Sequence, residues 1–532
     1  MEKKTEYLIL SLLVIFSIYC SLILGMAWDE PYFYEIGMNR LKYVLSFGNY
    51  EYREFSHGAN IYQFPGFYDT LTAFISQIIP RKYEIEIHHL INLFFSFTTI
   101  LGITKITKSL FNSKVSKIVF LILFFNPIYF GHMSINTKDI IIAFSNVWTT
   151  YFIIRYLQTQ SSEIKRKHFT MLIGISMGFG VGTRIISLAT FIPIFILFFL
   201  DIFFFKIIKD KKFSITNFLK DFLKIFLIIY IMTIIFWPNV HSNIFILPFK
   251  FFLESLRDTS YGIAWGFLDG EIYRTINTPR LYLLINLIYK FPEYLLLTYV
   301  IFIYLFFKEQ TFFKNHFKFF KTKILYLMFI ILFPLIIAFI AAIKITDGLR
   351  YFLFLIPYLS IIPGLTIYYL IYNSKFLLNK FIIFLVFISL MFFLFNFFSL
   401  TPYHYVYLNK FNGNFSEASK KFENDYWGAS IKELVYKIKT STDFVADINY
   451  KIAFCGINHD IAIHYLKKIN NFNFTEISNN DDYDYIIMTN RINGKSEDKI
   501  NDVKSCFDLF KGEDILSVKR NGLMLSTMRQ KR

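Results

Sequence analysis

The chain has 532 residues, of which 55% are hydrophobic and 20% aromatic, and its mean hydropathy of +0.44 excludes an ordinary water-soluble protein. The formal charge of +17 invites a nucleic-acid reading, but the lysines and arginines come in short runs between apolar segments, where they orient helices in a bilayer. Of the three cysteines, Cys20 falls in the first apolar run, while Cys455 and Cys506 lie in a polar C-terminal region and either pair or sit as buried thiols.

Crossing a hydrocarbon core about 30 Å thick takes roughly 20 apolar residues. The first such run, Tyr7 to Met26, is long and lacks a small-x-small cleavage pattern, which reads as a retained signal anchor. Further runs lie near 89–104, 116–130, 140–157, 169–184, 186–205, 223–238, 281–306, 325–343, 351–371 and 380–400, predicting about eleven transmembrane helices in all. Basic clusters at Lys3-Lys4, Lys105 to Lys117, Arg155 to Lys167, Lys206 to Lys224, Lys308 to Lys323 and Lys375 to Lys380 fall in alternate connections. The positive-inside rule makes those connections cytoplasmic, sets the N-terminus inside and, after an odd number of crossings, puts everything beyond residue 400 outside.

The opposite connections are tight turns near 131–139, 185 and 344–350 and two long loops, 27–88 and 239–280. Long loops on one face mark a functional side. In the first loop, PYFYEIGMNRLKYVLSF carries Phe33, Ile36, Gly37, Leu41, Val44 and Leu45 at roughly helical spacing, and GFYDTLTAFISQIIP forms a second short amphipathic run ending at Pro80; both are suited to lie flat on the membrane surface. The second loop, with SYGIAWGFLDGEIYRT, is rich in aromatics and glycine and has no clear period. Residues 1–400 thus read as a membrane module. From Thr401 to residue 532 the patterning is that of a small α/β domain: ASIKELVYKIK and DIAIHYLKKI as helices, KIAFCGIN and DYDYIIMTN as strands. No Walker, GxGxxG or zinc-ligand spacing is present.

The predicted spans are almost free of ionisable residues. The noteworthy charges stand at their outer ends: Asp29 and Glu30 in MAWDEPYFYEIG, Lys138 and Asp139 in GHMSINTKDII, Arg184 in GFGVGTRII, and Asp347 with Arg350 in KITDGLRYF. Singly, each has a structural explanation. Asp29-Glu30-Pro31 is a plausible helix start, Asp139 a helix cap, Arg184 and Arg350 snorkelling cations, and His57, His88 and His89 interfacial polar residues without a second ligand pair. Together, acids and cations at one lipid–water boundary suit a substrate whose apolar tail stays in the bilayer and whose phosphate sits at the surface. A carboxylate takes the proton of an attacking hydroxyl, and a cation neutralises the departing phosphate.

At these residues the chain resembles the GT-C glycosyltransferases, specifically the protein O-mannosyltransferase and aminoarabinose-transferase-like group, glycosyltransferase family 39. The acidic pair opening a long outer loop is similar to the group's hallmark, and QFPGFYDTL (63–71) is similar to a proline-aromatic stretch found there, with Gly66 where a second proline is expected. FGHMSINTKDI (130–140), GVGTRI (180–185), DGLRYFLFLIPYL (347–359), PYHYVYLNKFNG (402–413) and NDYWGAS (424–430) resemble a bacterial branch.

The resemblance implies a GT-C fold with juxtamembrane helices in the first outer loop. It further implies an inverting transfer of sugar from a polyprenyl-phosphate donor to a protein, lipid or polysaccharide acceptor, in a prokaryotic inner membrane. By that analogy Asp29 is the base, Glu30 shapes the site and Asp139 is a second acid; Lys138, Arg184 and Arg350 hold the donor phosphate, with Asp347 beside them, and a divalent metal stays open. The rival readings are a transporter or flippase for a lipid-linked sugar, which would show polar or broken helices at mid-depth, and a non-catalytic assembly protein.

Overall fold

The computed structural model describes residues 3–52, 61–257, 265–341, 343–373, 377–441, 449–467, 473–476, 483–494 and 498–531. His57, part of the second long loop (258–264) and Lys375 lie outside the described residues.

The helical part of the chain opens with α1 (Lys3–Ile23), a break at 24–29, and two short helices of the first long loop, α2 (Glu30–Leu45) and α3 (Phe67–Ser76). There follow α4 (Glu84–Leu110), α5 (Ser113–Phe124), α6 (Pro127–His132), α7 (Asp139–Gln158) and α8 (Glu163–Thr183). Side-chain caps start several of them: Asn112 accepts from the backbone N–H groups of Lys114 and Val115, Asn126 from Tyr129 and Ser162 from Lys165. After a 3-10 segment, Ile185–Phe191, come α9 (Ile192–Leu200), α10 (Ile215–Ile235) and α11 (Leu247–Arg257), then a hairpin of β1 (Trp265–Leu268) and β2 (Glu271–Arg274).

The predicted span 281–306 is a pair, α12 (Tyr282–Lys290) and α13 (Glu293–Lys308), bent by 110° where Pro292 removes a backbone donor. α14 (Gln310–His316), α15 (Phe320–Ala341), the kinked run Arg350–Leu355, α16 (Ile356–Leu359), α17 (Ile361–Tyr372) and α18 (Leu377–Ser399) complete the module.

Among the described residues, 7 helical stretches are long and apolar enough to cross a membrane, or up to 8 with the bent pair. The other predicted spans are helical but fall short of that length or hydropathy: α5 has 12 residues, α8 opens on Glu163, Lys165, Arg166 and Lys167, and α10 carries Lys220, Asp221 and Lys224.

α8 is joined to its neighbours by small residues and one buried charge pair. Gly174, Gly178 and Gly182 recur every fourth residue, and a Cβ at each would come within 2.9 Å of Ile228, 2.5 Å of the Met232 sulfur and 2.9 Å of Phe67. The stripe therefore lets α10 and α3 approach closely in a medium where no hydrophobic force drives helices together. At the opposite end of α8, Arg166 pairs with Asp221 of α10 at 3.1 Å, and the Tyr156 hydroxyl of α7 donates to the same carboxylate at 3.0 Å.

The C-terminal region builds a five-stranded sheet in the order β4-β3-β5-β9-β8, from β3 (Asn449–Cys455), β4 (Asn473–Glu476), β5 (Tyr485–Thr489), β8 (Gly512–Arg520) and β9 (Leu523–Lys531). β3 runs parallel to β4 and β5, while β5, β9 and β8 are antiparallel. Short strands β6 (Ile492–Asn493) and β7 (Lys504–Ser505) pair beside it, and α19 (Ile431–Thr440), α20 (His459–Leu466) and α21 (Cys506–Leu509) surround it. The anticipated helices and strands are α19, α20, β3 and β5; the β8–β9 hairpin is additional. Cys455 and Cys506 are bonded as a disulfide.

The domain packs against the start of the first long loop. Gly25 N–H donates to the Ala429 carbonyl at 3.2 Å, Met26 N–H to the Tyr465 hydroxyl at 2.9 Å, and the Asn458 side chain to the Trp28 carbonyl at 2.7 Å. Replacing Gly178 by Leu should force α8 and α10 apart at a cost of about 1–3 kcal/mol, read as a lowered thermal midpoint in detergent; an unchanged midpoint would show that the close approach does not matter to stability.

Candidate functional site

The site is assembled from residues at one end of the helices. Asp29 stands at the start of α2, yet its side chain makes no capping hydrogen bond. Its Oδ2 accepts instead from Arg350 Nη1 at 3.0 Å, a pair whose side chains are 43% and 13% exposed. Arg350 Nη2 reaches Asp347 Oδ2 at 2.9 Å, and Arg491 of the C-terminal domain reaches the other oxygen, Oδ1, at 3.4 Å. The result is a row of alternating charges, Asp29–Arg350–Asp347–Arg491. Asp347 is presented by a turn in which it and Gly348 take φ of +58° and +69°, and that turn is tied down by a 2.7 Å hydrogen bond from Gly348 N–H to the Tyr282 hydroxyl.

A second wall comes from the start of α7. Lys138, not Asp139, is the N-cap of this helix, and Asn136 just before it braces the first turn: its Oδ1 accepts from the Asp139 N–H at 2.9 Å, and its Nδ2 donates to Asp139 Oδ2 at 3.0 Å. The Asp139 carboxylate is thereby aimed at Arg184, whose Nη1 lies 3.8 Å from Oδ1. Lys138 places its ammonium over the rings of Phe33 and Phe64, 3.0 and 3.8 Å from their centroids, and its Nζ is buried without a hydrogen-bond partner. Burial pushes this lysine down to about 7, opposed by the nearby Asp69 carboxylate.

Asp69 belongs to a layer behind Lys138. It is 3.6 Å from Arg40, and Arg40 donates to the Phe64 carbonyl at 2.7 Å; burial raises the Asp69 carboxyl, with the Lys138 and Arg40 charges opposing. Gly66, which stands where the resembled motif has proline, adopts φ +83°, and a Cβ there would fall 1.9 Å from Arg40 Nη1. Neither proline nor any side chain fits that backbone beside the guanidinium.

These residues enclose a cavity of about 360 Å³ lined by Asp29, Lys138, Asp139, Arg184, Asp347 and Arg350 together with Trp28, Tyr32, Phe33, Phe64, Tyr351, Trp427, Asn458, Asp460 and Arg491. Glu30 is absent from that lining. It is 1% exposed and accepts from Ala27 N–H at 2.6 Å, the Tyr34 hydroxyl at 2.9 Å and His89 at 3.1 Å, so it fixes the chain break between α1 and α2. His89 in turn contacts the Ser21 carbonyl. Among the described residues no group of three His, Cys, Asp or Glu side chains is placed to hold a metal.

An apolar cavity of about 270 Å³ lies between α12 and α15, lined by residues such as Leu283, Leu287, Leu335 and Phe339, and it shares Ile345 with the charged cavity. Sequence reasoning did not find Arg40, Asp69, Trp28, Trp427, Asn458 or Arg491. Trp427 lay within NDYWGAS, a segment already matched to the family, whereas Arg491 follows a strand in the soluble domain and had no local signal.

The profile of the dolichyl-phosphate-mannose-protein mannosyltransferase family matches residues 7–252. The chain is similar to this family over that stretch. The glycosyltransferase fold extends over its whole length: ArnT from Cupriavidus metallidurans bound to undecaprenyl phosphate aligns with a TM-score of 0.53 and 11% identity, covering 99% of this chain and 98% of that one. The apo state of the same protein gives 0.51 over the same shares, also at 11% identity. An oligosaccharyltransferase from Archaeoglobus fulgidus, in complex with an inhibitory peptide and a dolichol-phosphate, aligns at 0.47 with 11% identity, covering 92% of this chain and 70% of that one. No curated protein matches. The chain is a multi-pass membrane protein with the fold of these glycosyltransferases.

Removing the Glu30 carboxylate by substitution with Ala should orphan the Ala27 amide and the His89 ring, at about 1–3 kcal/mol for each buried group left unpaired. Thermal unfolding in detergent measures it, and a midpoint equal to wild type would refute the structural assignment of Glu30.

Proposed function

We propose that the enzyme transfers a sugar from a polyprenyl-phosphate donor to an acceptor hydroxyl on the extracytoplasmic face, with inversion at the anomeric carbon. The observation that carries this reading is the convergence of Asp29, Lys138, Asp139, Arg184 and Arg350 from four separate stretches of chain on one cavity. That cavity meets an apolar one at Ile345. A polyprenyl tail fits the apolar groove, and its phosphate falls where Lys138, Arg184 and Arg350 concentrate positive charge. The family's name and the undecaprenyl phosphate named for the ArnT structure point to the same class of donor.

Asp29 accepts the proton of the acceptor hydroxyl as its oxygen bonds to the anomeric carbon. The bond from that carbon to the phosphate oxygen breaks on the opposite face, its electron pair leaving with the polyprenyl phosphate, whose charge the cations neutralise. Arg350 touches both ends of this step, being paired to Asp29 at 3.0 Å while facing the phosphate, and Asp139 orients Arg184. The extracytoplasmic orientation is supported by the alternation of basic connections and by the Cys455–Cys506 disulfide, a bond that persists in oxidising compartments. The membrane meant is a prokaryotic inner membrane.

Purified protein supplied with a panel of radiolabelled polyprenyl-phosphate sugars and membrane extract tests the reading. A transferase consumes one of the donors, and failure to consume any would overturn the proposal in favour of a carrier or an assembly protein. Asn at position 29 should cut turnover by at least about a hundredfold, the scale of a lost general base, with undecaprenyl phosphate binding retained; near-normal turnover would remove Asp29 from the chemistry.

The lysine adds a pH signature. With its proton lost as pH rises through about 7, the Lys138 ammonium is present below that value and absent above it. Donor kcat/KM should therefore fall on the alkaline side of neutrality, and Lys138→Arg should flatten that limb because guanidinium stays charged. A wild-type profile level to pH 9 would exclude Lys138 as a titrating phosphate ligand.

A further inference from the structure

The C-terminal sheet domain sends one cation into the catalytic cavity. Arg491 follows β5 and is held on several sides. Its Nη1 donates to the Tyr426 carbonyl, its Nη2 pairs with Asp347 Oδ1 at 3.4 Å, and its guanidinium lies 4.6 Å from the Trp28 ring centroid, one residue before Asp29. The backbone that carries it is anchored as firmly. Preceding it, Asn490 donates to the Phe422 carbonyl at 2.8 Å and accepts from Asn424 N–H at 3.0 Å. Following it, Ile492 N–H donates to Glu423 at 2.9 Å, and the Arg491 carbonyl accepts from Cys506 N–H at 3.0 Å, next to the disulfide with Cys455.

We propose that Arg491 is a positioning residue for the transfer reaction: by occupying one oxygen of Asp347 it leaves Arg350 shared between Asp347 and Asp29 and directed at the donor phosphate. The argument is one of charge balance. Asp347 is buried, with 4% of its side chain exposed, and has a cation on each oxygen. Without Arg491, Lys290 remains nearby but more of the Asp347 charge bears on Arg350, which lies 2.9 Å from one carboxylate and 3.0 Å from the other. Arg350 is then drawn toward Asp347, and the positive potential offered to a phosphate falls. Buried, poorly screened charges make such a shift effective over a few ångströms. The C-terminal domain is on this account part of the active site and not an appended module.

The inference rests on the proposed donor, and the test separates the two. Binding of undecaprenyl phosphate is measured on the purified full-length protein as wild type, Arg491→Ala, Arg491→Lys, Asp347→Asn and the double variant Arg491→Ala/Asp347→Asn. Arg491→Ala should weaken binding about tenfold and Arg491→Lys should recover most of the loss, because a charge is restored beside Asp347. In the Asp347→Asn background, removing Arg491 should cost nothing further, since the charge it balances is gone.

Equal binding by wild type and Arg491→Ala, or losses that multiply in the double variant, would overturn the role of Arg491 while leaving the donor assignment standing. Failure of the wild-type protein itself to bind would remove the donor assignment and this proposal with it. Should Arg491→Ala not fold, Arg491→Gln, which keeps a donor for the Tyr426 carbonyl without the charge, carries the same comparison.

Discussion

Arg350 is the constraint around which the cavity is organised. A guanidinium at the head of a membrane span is costly unless matched, and here two carboxylates from distant parts of the chain match it, Asp29 from the first long loop and Asp347 from the preceding turn. Because both acids compete for one cation, their positions are coupled: where the first loop sits determines how Arg350 points. The other features of this face serve that coupling. Glu30 and His89 hold the break after α1, Tyr282 holds the turn at Gly348, and Arg491 occupies the free side of Asp347.

The membrane module supplies rigidity for this arrangement by means that differ from those of a soluble core. Small residues on α8 admit its neighbours, and a single buried ion pair at the other end of that helix fixes α10. A charged cluster mounted on helix ends inherits the stiffness of the helices while its side chains line an open cavity. The lining mixes aromatic and charged residues, and the rings shield cations such as Lys138 from water without neutralising them.

The order of the apolar helices was legible in the sequence, because hydropathy is a property of composition alone, although only 7 or 8 of the described helical stretches are long and apolar enough to cross a membrane. The gathering of Asp29, Lys138, Asp139, Arg184, Asp347 and Arg350 on one cavity was legible because all stand at the ends of apolar runs, on the side opposite the basic clusters. What the sequence could not show was direction. Asp29 and Glu30 are adjacent acids, and only the path of the chain turns one toward the cavity and the other into the protein. The bend at Pro292 was hidden within an apolar run long enough to read as one span, and the β8–β9 hairpin signalled itself only through Asn521-Gly522 between alternating residues. Arg491 offered no signal, since its importance depends on domain docking.

The meeting of Trp28 with Arg491 and Asn458 has a temporal side. Residues that border the cavity lie more than four hundred positions apart, Trp28 on one side and Asn458 and Arg491 on the other, so the last wall exists only after the sheet domain has been made. A chain caught partway through synthesis therefore lacks this wall, and the cavity closes only once the sheet domain has folded and seated against Trp28.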